Sequence, residues 1–113
     1  MIRRFVRAVV RNATVTHGDA LALRLDPVVL RSANLLPLEE VEVVNHLTGE
    51  RVTTFVEAGA PGEIRAPRMR AGDAISILSW GLLHDGQTLA HQATIVTLDA
   101  HNGVVSIATS QNQ

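Results

Sequence analysis

The 113-residue chain contains no lysine, no tyrosine and no cysteine, and these absences remove particular chemistries. Without lysine there is no side-chain amine to form a Schiff base, which excludes covalently held pyridoxal phosphate. Without cysteine there is no thiolate nucleophile, no disulfide and no thiolate metal site. Aromatic residues make up only 3% of the chain, leaving almost no surface on which nucleic-acid bases could stack. No apolar run approaches the roughly 20 residues of a membrane-crossing helix. The N-terminus carries charge but no continuous apolar stretch, so a secretion signal is not expected. Arg, His, carboxylates, hydroxyls and the backbone remain to carry any function. The basic residues are all arginine, a usage that GC-rich genomes favour, so the missing lysine bounds the chemistry without naming it.

What is present suits one compact domain. The length is that of a single core, and 46% apolar residues are ample to fill it. A net charge of −1 argues against nucleic acid as a partner. Arg3, Arg4, Arg7 and Arg11 make the N-terminus basic, but they read as residues edging a strand. A soluble cytoplasmic protein, associated with neither membrane nor nucleic acid, is the expectation.

Valine, isoleucine and threonine recur in short bursts separated by turn signals, which predicts an all-β domain. Strands are expected over Arg3–Arg11, Ala13–His17, Ala20–Leu25, Glu40–Asn45, Arg51–Glu57, Asp73–Trp80, His91–Leu98 and Val104–Ala108. Asp26-Pro27 reads as a helix N-cap followed by proline at the first helical position. The short helix it opens ends near Asn34. His46-Leu47-Thr48-Gly49 is a hairpin turn, and Ala58–Gly62 is a loop. The domain is expected over residues 1–108, with 109–113 a frayed polar tail.

The opening Met1-Ile2-Arg3, then Ala13-Thr14-Val15-Thr16-His17 and Asp19, resembles the pyruvoyl-dependent aspartate decarboxylase family of pantothenate synthesis. The similarity continues through Asp26, Leu30, Ala33, Leu36, Val41–Asn45, Thr48-Gly49-Glu50-Arg51, Gly72-Asp73, Asp85 and Asp99-Ala100-His101-Asn102. The resemblance implies a small double-psi β-barrel with one or two short helices, assembled as a homotetramer with its sites between subunits. It also implies that Arg51 matches the arginine that grips a substrate carboxylate, and Thr54 the threonine used in self-processing.

The departures are as informative. Members of that family cut themselves at a Gly-Ser bond and turn the serine into a pyruvoyl group. Here the segment between Asp19 and Asp26 reads Ala20-Leu21-Ala22-Leu23-Arg24-Leu25. It is shorter than in the family and lacks the Gly-Ser pair; no glycine in the chain precedes Ser, Thr or Cys. The family's lysine falls on Val9 and its tyrosine on Phe55. A loop that lines the family's pocket is missing between Ala60 and Gly72.

Arg51 is the leading substrate-binding candidate, because a guanidinium presents a planar fork to carboxylates or polarised carbonyl oxygens. Strand alternation puts Arg51, Thr53 and Phe55 on one face and Val52, Thr54 and Val56 on the other. A salt bridge from Arg51 to Glu50 or Glu42 is the structural alternative. Thr54 and Phe55 are the other substrate-binding candidates, Phe55 leaving an apolar lining. His17 is a candidate catalytic base, since imidazole titrates near neutrality, although a hydrogen-bonded structural role suits a strand end equally. Glu57 continues the Arg51 face as a candidate carboxylate base, with a solvated charge as the alternative. His46, His84, His91 and His101 show no metal-ligand spacing, so neither metal nor cofactor is expected. These features lead to the expectation of a repurposed, cofactor-free cyclase, dehydratase or lyase acting on a polyketide-like carbonyl compound. A non-catalytic barrel binding a small molecule or a protein is the alternative.

Overall fold

The structure, a computed structural model, describes residues 1–87 and 90–111. In chain order it contains β1 (Ile2–Thr14), β2 (Leu23–Leu25), α1 (Pro27–Ser32), β3 (Glu40–Asn45), β4 (Arg51–Ala58), β5 (Ile64–Arg65), β6 (Ala74–His84), β7 (Gln92–Leu98) and β8 (Val104–Gln111). A 3-10 turn, Asp85–Gln87, follows β6. The strands form one eight-stranded sheet in the order β5-β2-β4-β3-β6-β1-β7-β8, curled into a partly closed barrel. This is the all-β, barrel-like fold expected.

Two pairs in this sheet, β1 with β7 and β2 with β4, are parallel, and the rest are antiparallel. Parallel neighbours cannot be joined by a tight hairpin, so the chain crosses the barrel between them. The inward positions of the long strands alternate as β-geometry requires. Val10 on β1, Val41 and Val43 on β3, Val56 on β4, and Ile75 and Ile77 on β6 are all essentially inaccessible to solvent. Each such aliphatic side chain contributes about 1.5–3 kcal/mol by leaving water.

The helix starts where the sequence places it. The Asp26 carboxylate accepts the Val28 N–H at 2.7 Å, and Pro27 occupies the first turn. Val29 and Leu30 then close one end of the core. Several boundaries differ from expectation. Of the strand expected over Ala13–His17, only Ala13 and Thr14 are in a strand, and they continue β1 past a bulge between Val10 and Ala13 in which Asn12 adopts a left-handed φ of 61°. Val15 and Thr16 lie outside it, and His17 forms an isolated bridge to Arg65. Of the expected strand Ala20–Leu25 only Leu23–Leu25 pairs, since its neighbour β5 is two residues long. Strand β6 runs on to His84. Residues 109–111, expected to fray, continue β8 and pair with β7 through Gln92 and Gln111; residues 112 and 113 lie outside the described range. No helix among the described residues is long and apolar enough to cross a membrane.

Candidate functional site

The β3–β4 hairpin carries the candidate site on its outer face. Along β4, Val52 and Val56 turn into the core, while Arg51, Thr53 and Glu57 are exposed and Phe55 is half-buried. Register sets Glu40 opposite Phe55, Val41 opposite Thr54 and Glu42 opposite Thr53. Leu38, Glu40, Thr53, Thr54 and Phe55 line an open groove of about 450 Å³. It offers a carboxylate at Glu40, the Thr53 hydroxyl and an apolar wall of Leu38 and Phe55, a set suited to a small ligand with polar and apolar parts.

One wall of this groove is held from behind. Leu38 has a left-handed φ of 73°, unfavourable for a branched residue. Its N–H bonds the Val56 carbonyl at 2.8 Å, and the Glu39 N–H bonds that of Leu36 at 3.0 Å. The Glu39 carboxylate then gathers the surrounding elements. It receives Arg7 Nη2 from β1 at 2.5 Å, the Ser79 hydroxyl from β6, and the Leu36 N–H at 3.2 Å. Arg7 also donates to Ser79 Oγ at 3.1 Å and to the Asn34 carbonyl at 3.0 Å. Burial pushes the Glu39 carboxyl up, but the Ser79, Arg7 and Leu36 donors together outweigh it and hold it below its ordinary value.

Of the residues singled out in the sequence, Thr54 and Phe55 line the groove. Arg51 lies on the same strand but outside the lining, with Nη1 2.6 Å from Glu42 Oε1; the structural alternative is the arrangement found. His17 is elsewhere. It forms a bridge with Arg65 of β5, and its Nδ1 lies 2.9 Å from Thr16 Oγ1. Glu57 is exposed, with no ion pair among the described residues. The structure therefore does not bring His17 and Glu57 to the groove. Leu38, Glu40 and Thr53 were not singled out in the sequence, although alternation along β3 would have put Glu40 beside Phe55. Among the described residues, no group of three or more His, Asp or Glu side chains could hold a metal ion.

The pyruvoyl group implied by the resemblance does not fit the residues present. Its precursor needs a β-oxygen or sulfur in the turn that is cut, whereas residues 18–22 read Gly-Asp-Ala-Leu-Ala. The nearest hydroxyl before them in the chain, on Thr16, follows valine rather than glycine. It is also fully engaged, donating to the Ile64 carbonyl and accepting the Ile64 N–H, each at 3.0 Å.

A family model described as aspartate decarboxylase matches residues 1–105. The aspartate 1-decarboxylase of Listeria monocytogenes is 29% identical over 117 residues, spanning 95% of this chain and 92% of the relative. That of Shouchella clausii is 30% identical with the same coverage. That of Dehalococcoides mccartyi is 34% identical over 108 residues, 89% of this chain and 86% of its own. A match of this extent corrects the expectation of a repurposed, cofactor-free cyclase, dehydratase or lyase on a polyketide-like compound. The similarity to the decarboxylase family runs through residues 1–105.

Proposed function

This chain belongs to the aspartate decarboxylase family, and from that premise we propose that it serves aspartate decarboxylation as a ligand-holding barrel for aspartate or a close amino-acid relative. The observation that carries the reading is that the family match runs through β4, whose residues Thr54 and Phe55 line the groove and whose Arg51 stands at its margin. Arg51 is free to change partner. Its side chain is 63% exposed, although that of Glu42 is only 20% exposed. With the guanidinium in water the pair contributes on the order of 1 kcal/mol, which a ligand carboxylate accepting from the same guanidinium can offset. A ligand amino group would then meet Glu40, with Thr53 between the two charges.

The groove opens outward, away from the barrel core. The family resemblance implies a homotetramer, and in such an assembly a neighbouring copy would close the groove. The chain's own residues bind and orient the ligand; no bond-breaking step is derived from them. Titration calorimetry with L-aspartate tests the reading, with succinate as the control that lacks the amino group. Saturable binding of aspartate, weaker for succinate, is expected. Equal heats for both ligands, or none, would overturn it.

A further inference from the structure

The two stretches that the family resemblance implies are shortened, between Asp19 and Asp26 and between Ala60 and Gly72, lie against each other. Thr16 N–H bonds the Ile64 carbonyl at 2.8 Å, Ala66 N–H bonds His17 at 3.2 Å, and Gly72 N–H bonds Val15 at 2.8 Å. At the other end, Asp26 N–H bonds the Glu63 carbonyl at 2.9 Å, and the Asp26 carboxylate accepts the Gly62 N–H at 2.7 Å. Between these anchors, Arg24 and Leu25 pair with Arg65 and Ile64. Glu63 reaches Arg65 at 3.0 Å and Arg24 at 3.7 Å. Ala22, Leu23, Ile64, Ala66 and Met69 are buried in the same corner. Gly18 fits so closely that a Cβ there would stand 2.2 Å from the Met69 carbonyl oxygen.

We infer that this paired strap replaces the self-cleaving turn, so that the chain remains one polypeptide and carries no carbonyl electrophile of its own. Two features lead to this. Residues 18–22 offer no β-heteroatom that could attack a neighbouring carbonyl or depart from a dehydrated residue. The strap also pins both ends of that stretch while leaving Leu21 90% exposed, so a side chain at that position is not packed against the carbonyl before it. Any decarboxylation in which the chain takes part therefore draws its electron sink from another molecule.

Mass spectrometry of the purified, aged protein, before and after phenylhydrazine, tests this directly. A single species near 12.2 kDa without a hydrazone adduct is expected. Two fragments parted between Asp19 and Asp26, or a hydrazone adduct, would overturn the inference. A double variant, Ala20→Gly with Leu21→Ser, tests the strap separately. It should also stay whole, since a serine at an exposed, unpacked position has no neighbour to activate it; cleavage of this variant would show that the strap does not block processing. These results are independent of aspartate binding. A whole, adduct-free chain that fails to bind aspartate would remove the proposed function and leave this inference standing.

Discussion

Arg51 donates to Glu42 at 2.6 Å along the outer face of the β3–β4 hairpin, and the pair stands beside the groove rather than in it. This arrangement separates two roles that sequence alone left together. An exposed ion pair adds little to stability, whereas an arginine that meets a ligand carboxylate contributes a charge-assisted bond of roughly 1.5–3 kcal/mol.

Arg51→Ala should therefore leave the thermal midpoint almost unchanged and weaken aspartate binding by about tenfold to a hundredfold. Arg51→Lys should recover only part of the loss, because an ammonium cannot form the bidentate fork. Calorimetry and thermal melting on the same preparations decide the matter. An early melt with undiminished binding would return Arg51 to a purely structural role.

Glu39 gives the fold a dependence on acid. Its carboxyl is held below the ordinary value of 4.5 by Ser79, Arg7 and Leu36 against the opposing effect of burial. Because the folded-state value lies below that of the unfolded chain, the contribution is fully present above 4.5 and drains away as pH falls through the folded value. Glu39→Gln should cost roughly 1–3 kcal/mol near neutrality, and the gap from the parent should shrink in denaturant titrations below pH 4.5. A gap of constant size from neutral to strongly acidic pH would contradict this account.

Gly18→Ala tests the packing of the strap. The added methyl would meet a backbone oxygen at 2.2 Å, and backbone cannot swing aside as a long side chain can. A loss of about 1–3 kcal/mol is expected from the forced shift, visible as a lower melting temperature. An unchanged midpoint would mean that the strap yields more readily than its hydrogen bonds suggest.

Asn102 is buried, at 3% exposure, and carries a left-handed φ of 63°. Its Oδ1 accepts the Thr14 N–H at 2.9 Å, and its Nδ2 donates to the carbonyls of Thr14 at 2.9 Å and Gly62 at 3.3 Å. Asn102→Ala should cost about 2–4 kcal/mol, since it orphans buried backbone groups. Asn102→Asp keeps the shape but removes the donor, so it should also destabilise, most strongly at neutral pH where the new carboxylate is charged. A neutral effect of both changes in chemical denaturation would rule out this bridging role.

Local signals in the sequence carried much of this fold. Asp26-Pro27 announces its helix because capping needs only residues two apart, and the alternation of β3 and β4 follows from which side chains can be buried. Asn12 misled because a polar residue with a left-handed backbone marks a turn as readily as a bulge. Strand β5 was hidden because it consists of Ile64 and Arg65 alone, too short for any period to register. The cluster of Arg7, Glu39 and Ser79 had no local signal, since Arg7 lies 32 residues from Glu39, and Ser79 a further 40. For the site, Thr54 and Phe55 were legible through the family resemblance. The contribution of Leu38 depends on a backbone conformation that no propensity announces.

The interlock of residues 15–18 with 64–72 makes the lengths of two distant stretches a single inherited quantity. Lengthening either stretch within its hydrogen-bonded part would lift amides from their acceptors on the other and open a buried corner to water. Chain can be added at the exposed Leu21 without touching those anchors, whereas an insertion within residues 15–18 or 64–66 would have to be matched on the other side.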